Sequence, residues 1–220
     1  MPGVELRAAI ERGSLGLAAS PVHALQDGRL DHHELRPHGG PADQPSDDTL
    51  LQLAEESGLT LPLGDWLFDR AAHCLAAGSA PATERLALRI SPIQLQAAPG
   101  YFDRWLDRLD ALGIAPERLV LSITEPSLTA RAETRMPALT RLRARTVRLD
   151  RRLLRGIEHD AQVLARCEGL IEQAHRLGLQ VMAADIDSAA QRAVLEAIGC
   201  DLGQGRVFAS GPDLFTVNSA

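Results

Sequence analysis

The sequence predicts an α/β fold built on a parallel sheet that closes as a barrel. Short apolar runs such as Arg85–Ser91 and Leu119–Thr124 alternate with amphipathic segments, the pattern of successive βα units. Three predicted helices stop at Gly113, Gly178 and Gly199, each ahead of an apolar run, which favours an α/β barrel over a sandwich or a helical bundle. With 220 residues and 45% hydrophobic content the chain can bury one substantial core, so residues 1–220 are read as a single domain.

The elements follow in order. Val4 to Arg12 has helical spacing and ends at Gly13, and Leu15 to Leu25 and Leu30 to Arg36 read as strands around the turn Gln26-Asp27-Gly28-Arg29. Residues 37–48 carry the strongest loop composition, and Ser46 or Asp47 is placed to cap a helix running through Glu56. A second helix is expected over Leu63 to Ala77, then a strand at Arg85 to Ser91. Tyr101 to Leu112 puts Phe102, Trp105, Leu106 and Leu109 on one helical face. Leu119 to Thr124 is a strand, Ala130 to Arg145 is mostly helical despite Pro137, and Thr146 to Asp150 is a short strand. Ala161 to Leu177 and Ala189 to Ile198 are helices around a strand over Leu179 to Ile186, and Gly205 to Phe208 is the last strand expected.

Composition excludes several classes. A formal charge of −6 argues against binding a nucleic-acid polymer, which needs a basic face. No apolar run reaches the ~20 residues of a membrane span and no signal peptide opens the chain, so a cytoplasmic protein is expected. Cys74, Cys167 and Cys200 are odd in number and far apart, as reduced, partly buried thiols would be.

Several stretches resemble one family in the order in which that family carries them. They are Leu53-Ala-Glu-Glu-Ser-Gly-Leu-Thr-Leu-Pro-Leu-Gly-Asp-Trp66, Ile90-Ser-Pro-Ile-Gln-Leu95, Leu112-Gly-Ile-Ala-Pro-Glu-Arg-Leu119, Leu119-Val-Leu-Ser-Ile-Thr-Glu125, Ala174-His-Arg-Leu-Gly-Leu-Gln-Val181 and Ile198-Gly-Cys-Asp-Leu-Gly-Gln-Gly205. They resemble the bacterial EAL family of cyclic-di-GMP phosphodiesterases. The resemblance covers nearly the whole chain and implies a modified TIM barrel whose first strand runs antiparallel to the rest. The chain's start is similar to the family's own beginning, so no upstream sensor or cyclase domain is expected.

Position by position, the resemblance also implies losses. The signature Glu-Ala-Leu reads Glu34-Leu35-Arg36, and His38 stands where the family usually has a phosphate-contacting arginine. Arg89 occupies the place of a metal-binding Asn, and Ser122 that of a metal-binding Glu, while Glu125 matches the second Glu of that motif. Arg148 corresponds to the Lys of Lys-Ile-Asp, Ala184 to another active-site Glu, and Gln204 is retained. The family's Asp-Asp-Phe-Gly turn has no counterpart. Thr146-Val-Arg-Leu-Asp150 is similar to the fifth and the sixth family strand at once, which implies that roughly one βα unit has been deleted and that a seven-stranded or gapped barrel remains.

These departures predict an inactive enzyme with neither catalytic residues nor a metal or other cofactor. Two-metal phosphodiester hydrolysis needs two cations roughly 3.5–4 Å apart, each held by several hard oxygen donors. Glu34, alone or with Glu125, does not supply them, and the guanidinium of Arg89 is a permanent cation that repels a metal. Two readings of Arg89 stand: it pairs with Glu34 in place of the metal, or it reaches solvent at the strand end. His32-His33-Glu34 is not a convergent metal motif, because neighbours on a strand face opposite sides; a solvated or packing role is expected for the histidines. The run Arg141, Arg143, Arg145, Arg148, Arg151, Arg152 and Arg155 reads as a solvated helix face, or else as a site for an acidic partner. The residual ligand-pocket candidates are Glu34, Arg89, Glu125, Arg148 and Gln204. The expected function is that of a regulatory module binding a protein partner, with a homodimer possible. The alternative is a cyclic-di-GMP receptor that does not cut its ligand.

Overall fold

The computed structural model describes residues 3–38, 47–77, 85–98, 100–125 and 145–208. Its elements are α1 (Gly3–Arg12), β1 (Gly16–Ala24), β2 (Leu30–His38), α2 (Asp47–Glu56), α3 (Thr60–Ala76), β3 (Leu86–Ile90), α4 (Asp103–Ala111), β4 (Leu119–Thr124), β5 (Thr146–Leu149), α5 (Arg151–Leu154), α6 (Ala161–Arg176), β6 (Gln180–Ala183), α7 (Ala189–Ala197) and β7 (Leu202–Gly203). The helix expected over Ala130 to Arg145 falls almost wholly outside the described residues. Among the described residues no helix is long and apolar enough to cross a membrane.

The strands are hydrogen-bonded in sequence order and form a closed barrel, β1-β2-β3-β4-β5-β6-β7. The first strand is antiparallel to the last, with His23 opposite Gly203 and Ala24 opposite Leu202. The pairs β2–β3, β4–β5, β5–β6 and β6–β7 are parallel. A seven-stranded barrel is therefore present, but the expected gap is not. β4 pairs directly with β5 through Ser122↔Thr146, Ile123↔Val147 and Thr124↔Arg148. That pairing satisfies the backbone groups that a gap would have left as a strand edge, so this junction offers a partner no open edge.

The described residues group into two compact units. One holds residues 3–20, 33–38, 47–77, 85–98 and 100–119; the other holds 21–32, 120–125 and 145–208. In the first, α3 is the main packing element, burying Leu63, Trp66, Leu67, Phe68, Ala71 and Leu75. Phe68 stacks on Trp105 of α4 with centroids 4.6 Å apart, and the Trp105 indole donates to Asp65 at 2.9 Å. In the second, α6 and α7 start at side-chain caps. Asp160 accepts from Gln162 N at 2.8 Å, and Ser188 accepts from Gln191 N at 3.0 Å while the Gln191 side chain accepts from Asp187 N at 2.9 Å. This is a close variant of the capping box. Both helices end at glycines with positive φ, where Leu179 N reaches Ala174 O and Cys200 N reaches Leu195 O, the closure that helix-then-Gly spelling encodes.

Two strands differ most from expectation, while β2 runs two residues further, to His38. β6 is only Gln180–Ala183, because the chain leaves the sheet through Asp185 at φ 56. The last strand is Leu202–Gly203 rather than Gly205 to Phe208. Residues 205–208 form a turn in which Phe208 N donates to Gly205 O at 3.2 Å. Phe208 is buried not by sheet pairing but against His23, whose ring stacks on it at 4.9 Å, with the Arg192 guanidinium 5.2 Å from its centroid.

Candidate functional site

The candidate residues divide between the two units, and each group is defined by strand register. In the first unit, β2 carries Glu34 opposite Ala87 of β3. Arg89, two residues beyond Ala87, lies on the same face of the sheet as Glu34 and one step along the strand. Glu34 is 1% exposed, whereas Arg89 is half-buried, and each carries polar or electrostatic interactions. Two residues on, Arg36 donates to the Ser20 hydroxyl. His32 and His33 are buried, and His32 Nδ1 lies 2.8 Å from Asp31 Oδ2. This settles their role as packing and removes the solvated alternative.

The segment after β3 serves structure. Ser91 N donates to Gln94 Oε1 at 3.0 Å, and Gln94 N donates back to Ser91 Oγ at 3.2 Å. Gln94 is buried beside Gly64 of α3, where a Cβ would fall 2.2 Å from Gln94 Nε2 and 3.1 Å from the Tyr101 hydroxyl. The Ser-Pro-Ile-Gln spelling thus holds the chain that leaves β3 against α3.

In the second unit, β4, β5, β6 and β7 bring a defined set of side chains to one face. Ser122 is opposite Thr146, Thr124 opposite Arg148, Arg148 opposite Met182, and Met182 opposite Leu202. Ser122, Thr146 and Arg148 are all buried on it. Arg148 Nη1 donates to Gln204 Oε1 at 3.4 Å, so these two candidates are brought into contact. Alongside lies a buried apolar cluster of Val22, Met182, Ala184 and Leu202. The face therefore offers hydroxyls, a guanidinium and an amide beside hydrocarbon.

Glu125 directly follows β4. Its carboxyl is held above the usual carboxylate range, chiefly because burial disfavours the anion; Asp150 adds repulsion, while Arg166 and Arg152 oppose the shift. Asp150 also caps α5, accepting from Arg152 N at 2.9 Å. The residues around Glu125 were not among the sequence candidates, although an Asp immediately ahead of a helix is a recognisable cap signal.

The arginine run needs correction as well. Arg148 is a buried strand residue at 4% exposure, not part of a solvated helix face. Arg145, Arg151, Arg152 and Arg155 are exposed as expected, and Arg141 and Arg143 lie outside the described residues. The three cysteines are buried free thiols. Burial pushes the Cys200 thiol up to about 12, so it is no nucleophile at neutral pH. Among the described residues no group of three or more His, Cys, Asp or Glu side chains is placed to hold a metal ion.

Fold and site together define an α/β barrel with an antiparallel first strand and a largely non-carboxylate polar face. The chain belongs to the EAL domain family, whose model matches residues 4–144 and 131–210. It is 26% identical to the cyclic di-GMP phosphodiesterase NbdA of Pseudomonas aeruginosa, covering 93% of this chain and 30% of that protein. It is 24% identical to the bifunctional diguanylate cyclase/cyclic di-GMP phosphodiesterase MucR of the same organism, over 70% of this chain and 26% of that one. The chain thus spans less than a third of the length of these two relatives. Among solved structures, the PaMucR phosphodiesterase in its c-di-GMP complex superposes with a TM-score of 0.79 at 22% identity, covering 94% of this chain and 95% of that chain. The FimX EAL domain from Pseudomonas aeruginosa bound to c-di-GMP gives 0.75 at 20% identity, with 98% of each chain covered. At these identities the structural likeness establishes the fold.

Proposed function

We propose that this EAL domain does not hydrolyse cyclic-di-GMP and acts by binding a regulatory protein, or a second copy of itself. The observation that carries this reading is the donor set. A pair of divalent ions needs several carboxylate or carbonyl oxygens converging from the strand ends. Here Ala184 packs in a hydrocarbon cluster with Val22, Met182 and Leu202, Ser122 presents a buried hydroxyl, and Arg89 brings a permanent cation to the face that carries Glu34. These residues do not fit a two-cation centre.

Loss of roughly one βα unit is part of the same proposal. The alignment to NbdA runs over 238 positions although this chain has 220 residues, so at least 18 positions face gaps in this chain. The two family matches share residues 131–144, as they would where one stretch has to serve two parts of the family pattern.

A second reading, a receptor that binds cyclic-di-GMP without cutting it, is favoured by the buried Arg148–Gln204 contact, since a guanidinium suits phosphate. Calorimetry with cyclic-di-GMP, with and without Mg²⁺, separates the two. The protein-binding reading predicts no binding in the micromolar range under either condition. Micromolar binding without turnover would establish the receptor instead, and release of linear dinucleotide would overturn both.

A further inference from the structure

The first unit carries a groove of about 520 Å³ on its helical surface, lined by α1, α3 and α4. Arg12 from α1, Arg70 from α3 and Arg108 from α4 all line it, and Trp66 of α3 forms an apolar wall. Arg70 is held in place. Its guanidinium lies 5.7 Å from the Trp66 ring centroid, and its Nη2 donates to Gly13 O at 3.4 Å. Arg12 and Arg108 are exposed. Trp66 itself is 9% exposed, and its buried indole N–H finds no acceptor among the described residues.

Three guanidiniums lining one groove stand against the formal charge of −6 of the whole chain. Two carboxylates, Glu11 and Asp69, also line the groove. Set against these, the three guanidiniums leave the lining with a formal charge of +1, still opposite in sign to the whole chain, and exposed guanidiniums orient an acidic partner. The volume falls within the roughly 300–1,000 Å³ of ordinary ligand sites, enough for a few side chains. Trp66, only 9% exposed, serves to hold the Arg70 guanidinium in the groove rather than to contact a partner.

We propose that this groove is the docking site for an acidic segment of a partner protein, with carboxylates spaced to meet Arg12, Arg70 and Arg108. It rests on the protein-binding reading above for the kind of partner, and it is tested separately from it. The probe is a fluorescein-labelled decapeptide of alternating glutamate and serine, followed by fluorescence anisotropy on the intact chain. The control peptide carries glutamine for glutamate. The competitor is inorganic tripolyphosphate.

Saturable binding is expected for the acidic peptide alone, weakening as salt rises and falling about tenfold or more in the double variant Arg12→Glu/Arg108→Glu, whose fold is checked by circular dichroism. Three results would overturn the proposal: equal affinity in the double variant, no saturation at millimolar peptide, or tripolyphosphate binding more tightly than the peptide. The last would make the groove a phosphate site. Failure here leaves the non-hydrolytic reading standing, because turnover of cyclic-di-GMP is read in a different assay. Turnover, in turn, would leave the peptide result as measured.

Discussion

Glu34 and Arg89 bear most directly on the proposed loss of the two-cation centre. Their positions on neighbouring strands, one step apart on a shared face, put an arginine side chain within reach of the carboxylate. We expect them to pair. Taking one partner from a fully buried ion pair costs roughly 3–5 kcal/mol, and half-burial of Arg89 should reduce that to about 1–3 kcal/mol. In urea unfolding, Arg89→Ala should cost clearly more in the native background than in Glu34→Gln; additive losses would show that no pair exists. Glu125 offers a pH test. Because its carboxyl titrates above the usual range, the folded state holds the proton more tightly than the unfolded chain does. That contribution favours folding in acid and is lost as pH rises through the raised value. Glu125→Gln, which cannot ionise, should therefore have a higher urea midpoint than the native chain at neutral pH. The difference should vanish below the ordinary carboxylate range, and a pH-independent difference would refute this.

At the scale of elements, two glycines fix how strands leave the sheet. Gly205 sits at φ 148, and a Cβ there would lie 2.3 Å from the backbone nitrogen of Ile186. Backbone cannot yield as a side chain can, so Gly205→Ala should cost roughly 2–4 kcal/mol from strain and overpacking combined. At Gly64 the obstacle is the Gln94 side chain, held by Ser91. Gly64→Ala should cost about 1–3 kcal/mol, and adding Gln94→Ala should cost less than the sum of the two changes, read as thermal midpoints. Additive losses would show that the two sites do not meet. These elements also mark where sequence reasoning succeeds. The glycines after α6 and α7 are local signals that need no tertiary context; the caps Asp160 and Ser188 with Gln191 are equally local but form no part of the sequence reading. Val207 and Phe208 misled because an apolar pair signals burial without saying by what; here a ring stack does it. Arg148 stands in the sequence both as a pocket candidate on a strand and in a basic run; burial bears out the strand position and removes it from the run, which charge counting alone does not do. Whether β4 closes on β5 or leaves a gap stays open in the sequence for another reason. Pairing across residues 125–145 is non-local, and nothing in either strand encodes its neighbour.

At the scale of the whole molecule, we propose that the family framework is kept where packing demands it and lost where the chemistry would sit. Stretches spelled like the family hold α3, α6 and β7 in place through Gln94, His175 and Asp201. The His175 ring nitrogen lies 2.8 Å from Asp201 Oδ2, which also accepts from Val181 N at 2.7 Å. The strand-end positions Arg89, Ser122 and Ala184 instead bring a cation, a hydroxyl and a methyl group. We propose that this barrel does not assemble the two-cation centre needed to cut a phosphodiester. Chromatographic assay of cyclic-di-GMP incubated with the chain in excess Mn²⁺ decides it. No linear dinucleotide above the protein-free control is predicted; turnover that disappears in Glu34→Gln would overturn the proposal.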